Sequence, residues 1–162
     1  MRGRRLIAFR IVKRRHAEIA FDGSGTLRYG SRWTSTGLRG VYLADSLSLG
    51  ILELLVHLGR EELADMEFVG FRVTIPDALI APLAAEALPE GWDAGHPTPE
   101  IAHRLKTIGD AFLRSSPKPV LRLPSAIVPS QANFLLSPEH PKFQRLQIEA
   151  VGPVSLDHRL KA

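Results

Sequence analysis

The chain has 162 residues, is 44% hydrophobic and 23% charged, and contains no cysteine. That is enough for one domain with a core of its own, and it excludes disulfides and thiolate chemistry; a cytoplasmic home is the simplest expectation. The net charge is +4, yet Arg2, Arg4, Arg5, Arg10, Lys13, Arg14 and Arg15 place seven of the 21 basic residues, and no acid, in the first fifteen positions. Such a segment can meet nucleic acid or an acidic partner. The plainer reading, preferred here, is a strand edge guarded by charge, because no aromatics are interleaved for base stacking. No apolar run is long enough to span a bilayer, and residues 6–9 are too short for a secretory core.

Leu6–Val12 alternates as a strand. Asp22-Gly-Ser-Gly is a turn signal, and a glycine-rich run continues to Ser31-Arg32-Trp33. Val41–Ala44 is a short buried strand, after which Asp45 or Ser46 can cap a helix. Met66–Ile75 is a second long strand that stops at Pro76. Residues 76–99 are rich in proline and alanine and predict a short helix within a long loop. Thr98-Pro99-Glu100 opens a helix running to about Arg114, with Ile101, Leu105, Ile108 and Phe112 as its apolar stripe. Val120–Leu123 and Gln144–Val151 complete the strands. Strands dominate, two main helices interrupt them, and βαβ alternation is lacking, so the class is α+β in a single domain over residues 1–162.

Glu53 is the only formally charged side chain between Ser46 and Gly59. At helical spacing Ser46, Gly50, Glu53, His57 and Arg60 form one thin stripe, while Leu47, Ile51, Leu54 and Leu58 form another face. From the helix alone the stripe reads as a solvated face. The alternative is a carboxylate held against a partner that needs its charge. His57, one turn on, reads as a packed core histidine.

Several familiar motifs fail. Gly23-Ser-Gly25-Thr-Leu-Arg28 begins like a dinucleotide fingerprint but lacks the third glycine and a following helix. No Walker-type loop exists. The six histidines show no ligand spacing, so no metal site is expected. Ser125 lies in Leu-Pro-Ser-Ala, not in a nucleophile elbow.

Arg32, Tyr42, Glu53 and Ser125 stand in GSRWTSTG, GVYLADS, LELLVHL and LRLPSAIVPS. Together with LPEGW at Leu88–Trp92, TIGDAFL at Thr107–Leu113 and NFLLSPEHPKF at Asn133–Phe143, their order and spacing resemble the RES-domain family from about Phe9 to Ile148. Ser31 stands where that family often has glycine, and Ser137 departs from the usual NFLLNP. The resemblance implies a fold like that of the NAD-binding ADP-ribosyltransferases of the diphtheria-toxin type. It also implies a toxin of a toxin–antitoxin pair that degrades NAD by phosphorolysis or hydrolysis of the nicotinamide–ribose bond. NAD is then substrate rather than prosthetic group, with inorganic phosphate a possible co-substrate. The implied partner is a helix-turn-helix antitoxin that occludes the active site, so that nucleic acid is reached only through it, in a homo- or hetero-oligomeric complex.

On that resemblance Arg32 and Glu53 are the catalytic candidates, and Arg10, Arg32, Tyr42, Glu53 and Ser125 the NAD-binding ones. The chemistry suits them. Glu53 beside an oxocarbenium-like ribose stabilises charge that develops in the transition state, and Gly50 leaves room for ligand. Arg32 offers a planar fork to pyrophosphate or attacking phosphate, and Arg10 holds a phosphate or the adenylate half. Tyr42 stacks on nicotinamide or ribose. Ser125 hydrogen-bonds ligand or orients Glu53 or Arg32, and Trp33 packs under the Arg32 loop. Two readings compete: a transferase moving ADP-ribose onto a protein, and a non-catalytic binding module using the basic N-terminus.

Overall fold

The computed structural model of the chain describes residues 3–59, 63 and 66–161. The α+β class holds: seven strands form one sheet in the order β4-β5-β6-β2-β1-β3-β7. They are β1 (Arg5–Lys13), β2 (Val41–Ala44), β3 (Phe68–Pro76), β4 (Ile80–Ala81), β5 (Val120–Pro124), β6 (Ala132–Leu136) and β7 (Gln147–Val154). The helices are α1 (Ser24–Tyr29), α2 (Leu47–His57) and α3 (Pro99–Ser115). All pairings are antiparallel except β4 with β5.

The sheet is not uniformly zipped. β1 and β3 pair along their whole lengths, from Arg5 opposite Pro76 to Lys13 opposite Phe68. β1 and β2 share a single register pair, Phe9 with Ala44. Backbone groups beside that pair must find partners elsewhere, and the Arg10 side chain supplies one by donating from Nη1 to the Tyr42 carbonyl at 2.9 Å. A cavity follows this split.

Two helices fix its walls. Ser46 caps α2, its Oγ accepting from Leu49 N at 3.0 Å, which satisfies one orphan donor of the first turn. Asp45 instead accepts from Ala132 N at 2.9 Å and ties the helix start to β6. Ile51, Leu54, Leu55 and Leu58 pack on Leu63, Phe68 and Leu156. In α3, Thr98 caps and Pro99 opens the helix, and Ile101, Leu105, Ile108 and Phe112 join Trp33, Leu121, Leu123 and Leu135 in the core. Glycine is required at position 109, where an added Cβ would run into the Trp33 carbonyl oxygen. One residue on, Asp110 accepts from Ser35 N at 2.8 Å. α3 therefore grips the loop between α1 and β2.

Four expectations need correction. The glycine-rich run contains a helix, α1, begun by Gly23 at φ +72° and ended by Gly30 at φ +64°; a Cβ at Gly23 would stand 2.8 Å from that of Arg39. A helix thus does follow the fingerprint-like glycines, although a 3-10 turn rather than a strand precedes it. β4 and β6 were not expected: β4 has only two residues, too few to alternate, and β6 is buried on both faces and lacks alternation. Finally, β1 lies inside the sheet, and the edges are β4 and β7. The basic segment is therefore no guarded edge: Arg4 and Arg14 reach outward to Asp77 and Glu67, while Arg10 turns inward. Arg2 and Arg60 lie outside the described residues. No helix among those described is long and apolar enough to cross a membrane.

Candidate active site

The cavity has a volume of about 780 Å³, and Arg10, Arg32, Tyr42 and Glu53 all line it. Its walls come from β1, β2, α1, α2 and the loop after α1, with Ala126 and Asn133 closing one side. Four of the five candidate residues thus share one space despite spanning 43 positions from Arg10 to Glu53.

Glu53 projects from the middle of α2 with a quarter of its side chain exposed. Its Oε1 accepts from Ser125 Oγ at 3.1 Å and from Asn133 Nδ2 at 2.6 Å. Its Oε2 accepts no hydrogen bond among the described residues; the nearest cationic candidate is His57 Nε2 at 3.9 Å. Glu53 is therefore not on a solvated stripe. His57 departs from the expected core packing, since 74% of its side chain is exposed at the cavity wall.

Ser125 is fully buried. Its Oγ accepts from the backbone N–H groups of Ile127 and Val128, both at 3.1 Å, and donates to Glu53. Both of its acceptor sites are filled and its one proton is committed. Such a hydroxyl is no nucleophile, and of the roles open to Ser125 the geometry realises the orientation of Glu53. Asn133 was absent from the candidates. The signal was available: it is the only polar side chain of an otherwise apolar strand, a position asparagine does not favour.

The two arginines resemble one another. Arg10 Nε donates to the Ala20 carbonyl at 2.6 Å and its Nη1 to that of Tyr42, with the Phe21 ring 6.0 Å from Cζ. Burial lowers its pKa to about 10, against the opposing pull of Asp22. Arg32 Nη1 and Nη2 donate to the carbonyls of Trp92 and Ala94 at 2.9 and 3.0 Å. Among the described residues neither guanidinium has a carboxylate within ion-pair distance. Carbonyls satisfy donors but leave the charge unneutralised, so each of the two guanidiniums stands in the cavity wall without a contact ion pair among the described residues, Asp22 acting on Arg10 only from a distance.

Tyr42 extends from β2, and its hydroxyl bonds Ser31 Oγ at 2.6 Å. Ser31 also bonds Thr34 Oγ1 at 2.7 Å and accepts from Trp33 N, which gives the serine found in place of glycine a use. Burial raises the Tyr42 pKa to about 12, against the opposing effect of its hydrogen bond with Ser31, so its hydroxyl is neutral at physiological pH. Trp33 is buried as expected and stacks at a tilt on Trp92, centroids 6.1 Å apart. Gly50 lines the cavity, and an added Cβ would lie 3.3 Å from Ile11 Cδ1, so glycine also lets α2 sit close to β1. No group of three or more His, Cys, Asp or Glu among the described residues is placed to hold a metal.

One anchored carboxylate thus shares a cavity with two guanidiniums. The RES domain family model matches residues 7–157. The chain is 36% identical to a Toxin Res of Yersinia enterocolitica over 158 residues, covering 96% of this chain and 100% of that protein. It is 32% identical to the Prs ADP-ribosylating toxin of a Sphingobium strain, covering 86% and 85%. A chain of the solved M. tuberculosis MbcT–MbcA toxin–antitoxin complex superposes with a TM-score of 0.74 at 17% identity, covering 98% of this chain and 88% of that one.

Proposed function

The chain belongs to the RES domain family, and from that premise we propose that it is the toxin of a toxin–antitoxin pair, degrading NAD at the nicotinamide–ribose bond. One observation carries the reading: Glu53, anchored by Ser125 and Asn133, shares a cavity with Arg10 and Arg32, which donate to carbonyls and form no contact ion pair with a described carboxylate. The cavity volume is of the size that takes a small molecule or cofactor.

In this reading the diphosphate of NAD supplies the missing counter-charge for the two guanidiniums. The C1′–N bond breaks, nicotinamide leaves as a neutral base with the bonding pair, and positive charge develops on the ribose. Glu53 lies ready to stabilise that charge, and only as it appears. An oxygen of phosphate or water then bonds to C1′. Tyr42 offers a ring face to the ligand while Ser31 holds its hydroxyl.

The partner is an antitoxin with a helix-turn-helix part that covers the cavity within a hetero-oligomer. The rim suits a protein partner, with Ile19 and Tyr29 exposed on the cavity wall and Leu52 and Val56 exposed on α2. The test is to incubate purified protein with NAD, with and without phosphate, and to follow nicotinamide and the ADP-ribose products. Phosphate-dependent formation of an ADP-ribose phosphate assigns a phosphorylase, and free ADP-ribose a glycohydrolase. Folded protein that leaves NAD intact overturns the reading.

A second reading is favoured by the Sphingobium relative, named as ADP-ribosylating. Transfer to a protein shares the first half of the reaction and differs only in the acceptor. Label from the adenylate of NAD fixed on a protein would select it.

A further inference from the structure

Asn133 sits at the second position of β6, opposite Ala44 of β2 on one side and Leu123 of β5 on the other. Its backbone is held in ladders on both flanks, so its side chain projects from one of the best-fixed places in the molecule. The chemistry of its partner settles which way the amide faces. An ionised carboxylate only accepts, so the group 2.6 Å from Glu53 Oε1 is the amide nitrogen. The amide oxygen is then turned away, where it is buried without a hydrogen-bond partner among the described residues. An amide oxygen left buried in this way is a cost that the bond from Nδ2 to Glu53 has to offset.

Ser125 reaches the same carboxylate oxygen with a proton that has nowhere else to go. Two committed donors therefore converge on Oε1 and leave Oε2 as the oxygen free to act. We propose, resting on the NAD-degrading reading, that Asn133 is a positioning residue for that reaction: it holds the Glu53 carboxylate in one rotamer, with Oε2 as the acting oxygen. It acts through Glu53, and its amide is the only side-chain donor to Glu53 besides Ser125 among the described residues.

Asn133→Leu removes the donor and the unpartnered oxygen together. It should leave the thermal midpoint unchanged or higher and the KM for NAD within about twofold, while kcat falls about tenfold or more, the pattern of an interaction made in the transition state. A purely structural asparagine would instead lower the midpoint and spare kcat. An Asn133→Leu protein that turns over NAD within about threefold of wild type overturns the proposal. The exchange of partners tests the hydrogen bond without any substrate. Asn133→Asp sets two carboxylates in contact and should lower the midpoint at neutral pH, and adding Glu53→Gln should restore it by swapping amide and carboxylate across the same bond. A double variant no more stable than Asn133→Asp alone overturns the pairing. Should wild-type protein leave NAD untouched, the parent reading falls, and this exchange still decides the pairing by stability alone.

Discussion

Ser125 Oγ gives its only proton to Glu53 Oε1, across 72 residues of sequence, while accepting two backbone N–H groups of the turn that follows it. The serine thus joins a loop to a carboxylate and spends every hydrogen-bonding site it has. Removing it should injure both ends. Ser125→Ala leaves the Ile127 and Val128 amides without an acceptor and should cost about 1–3 kcal/mol of stability, read by denaturant unfolding. Turnover of NAD should fall as well, because Glu53 loses one of its two donors. Ser125→Ala with wild-type stability would mean the turn finds other partners.

Glu53→Gln keeps the side chain's size and removes its charge. The fold should survive, NAD should still bind, and kcat should fall by about a hundredfold or more, the scale of a lost electrostatic stabiliser. Single-turnover release of nicotinamide separates chemistry from product release. Activity within about threefold of wild type would leave Glu53 a structural partner of Ser125 and Asn133 with no part in the chemistry.

What was legible in the sequence follows from which physics acts locally. β2, the two caps at Ser46 and Thr98 and the apolar stripe of α3 rest on short-range rules, and all appear where expected. Glu53 was visible because a lone charge in an apolar helix demands a reason. Asn133 was not singled out, because its strand was missed: β6 is buried on both faces and shows no alternation to read. The arginines were legible as cations but not in their partners. Arg32 meets carbonyls 60 and 62 residues away, and Arg10 spans a split in the sheet that no local pattern announces.

Arg32→Lys keeps the charge and loses the fork that reaches both Trp92 and Ala94. The Trp92–Ala94 segment should loosen against Trp33. The chain has two tryptophans, Trp33 and Trp92, and they face each other here. The emission of the lysine variant should therefore shift to the red in the absence of any ligand, and NAD turnover should drop strongly. Unchanged emission together with full activity would reduce Arg32 to a general positive charge.

Tyr42 carries a pH signature. Burial lifts its folded pKa to about 12 from an unfolded value of 10.0, so the folded state holds a proton that the unfolded state releases first. Its contribution to stability is present below pH 10 and is lost as pH rises toward 12. Arg10 works in the opposite sense. Its folded pKa, lowered to about 10 from 12.5, makes stability rise with pH above 10. The two partly offset each other in wild type, and Tyr42→Phe leaves Arg10 alone. Unfolding measured between pH 9.5 and 12 should give Tyr42→Phe a stability that climbs relative to wild type (roughly the window spanned by the two shifts). Parallel curves for the two proteins would place the Tyr42 hydroxyl in a wetter setting than its contacts with Ser31 indicate.

The rim of the cavity makes the last prediction. Tyr29 is 81% exposed at the end of α1 and lines the cavity, and Leu52 and Val56, one turn apart on α2, present apolar side chains to solvent beside Glu53. Large exposed apolar groups around a charged cavity suit a partner that covers it, with the rim supplying burial and Arg10 and Arg32 receiving an anionic group. Tyr29→Asp places charge on that rim, and Val56→Asp places it on the exposed face of α2 outside the cavity lining, without touching Glu53 or its two donors. Each should weaken binding of the antitoxin by about tenfold or more, as measured by calorimetry, and the weakening should appear in dissociation rate. NAD and antitoxin should exclude one another: saturating antitoxin abolishes NAD binding, and a truncation that withdraws its inserted segment restores turnover while the complex persists. If NAD and antitoxin bind together with neither affinity reduced, the antitoxin does not cover this cavity, and inhibition has to be a coupling between separate sites.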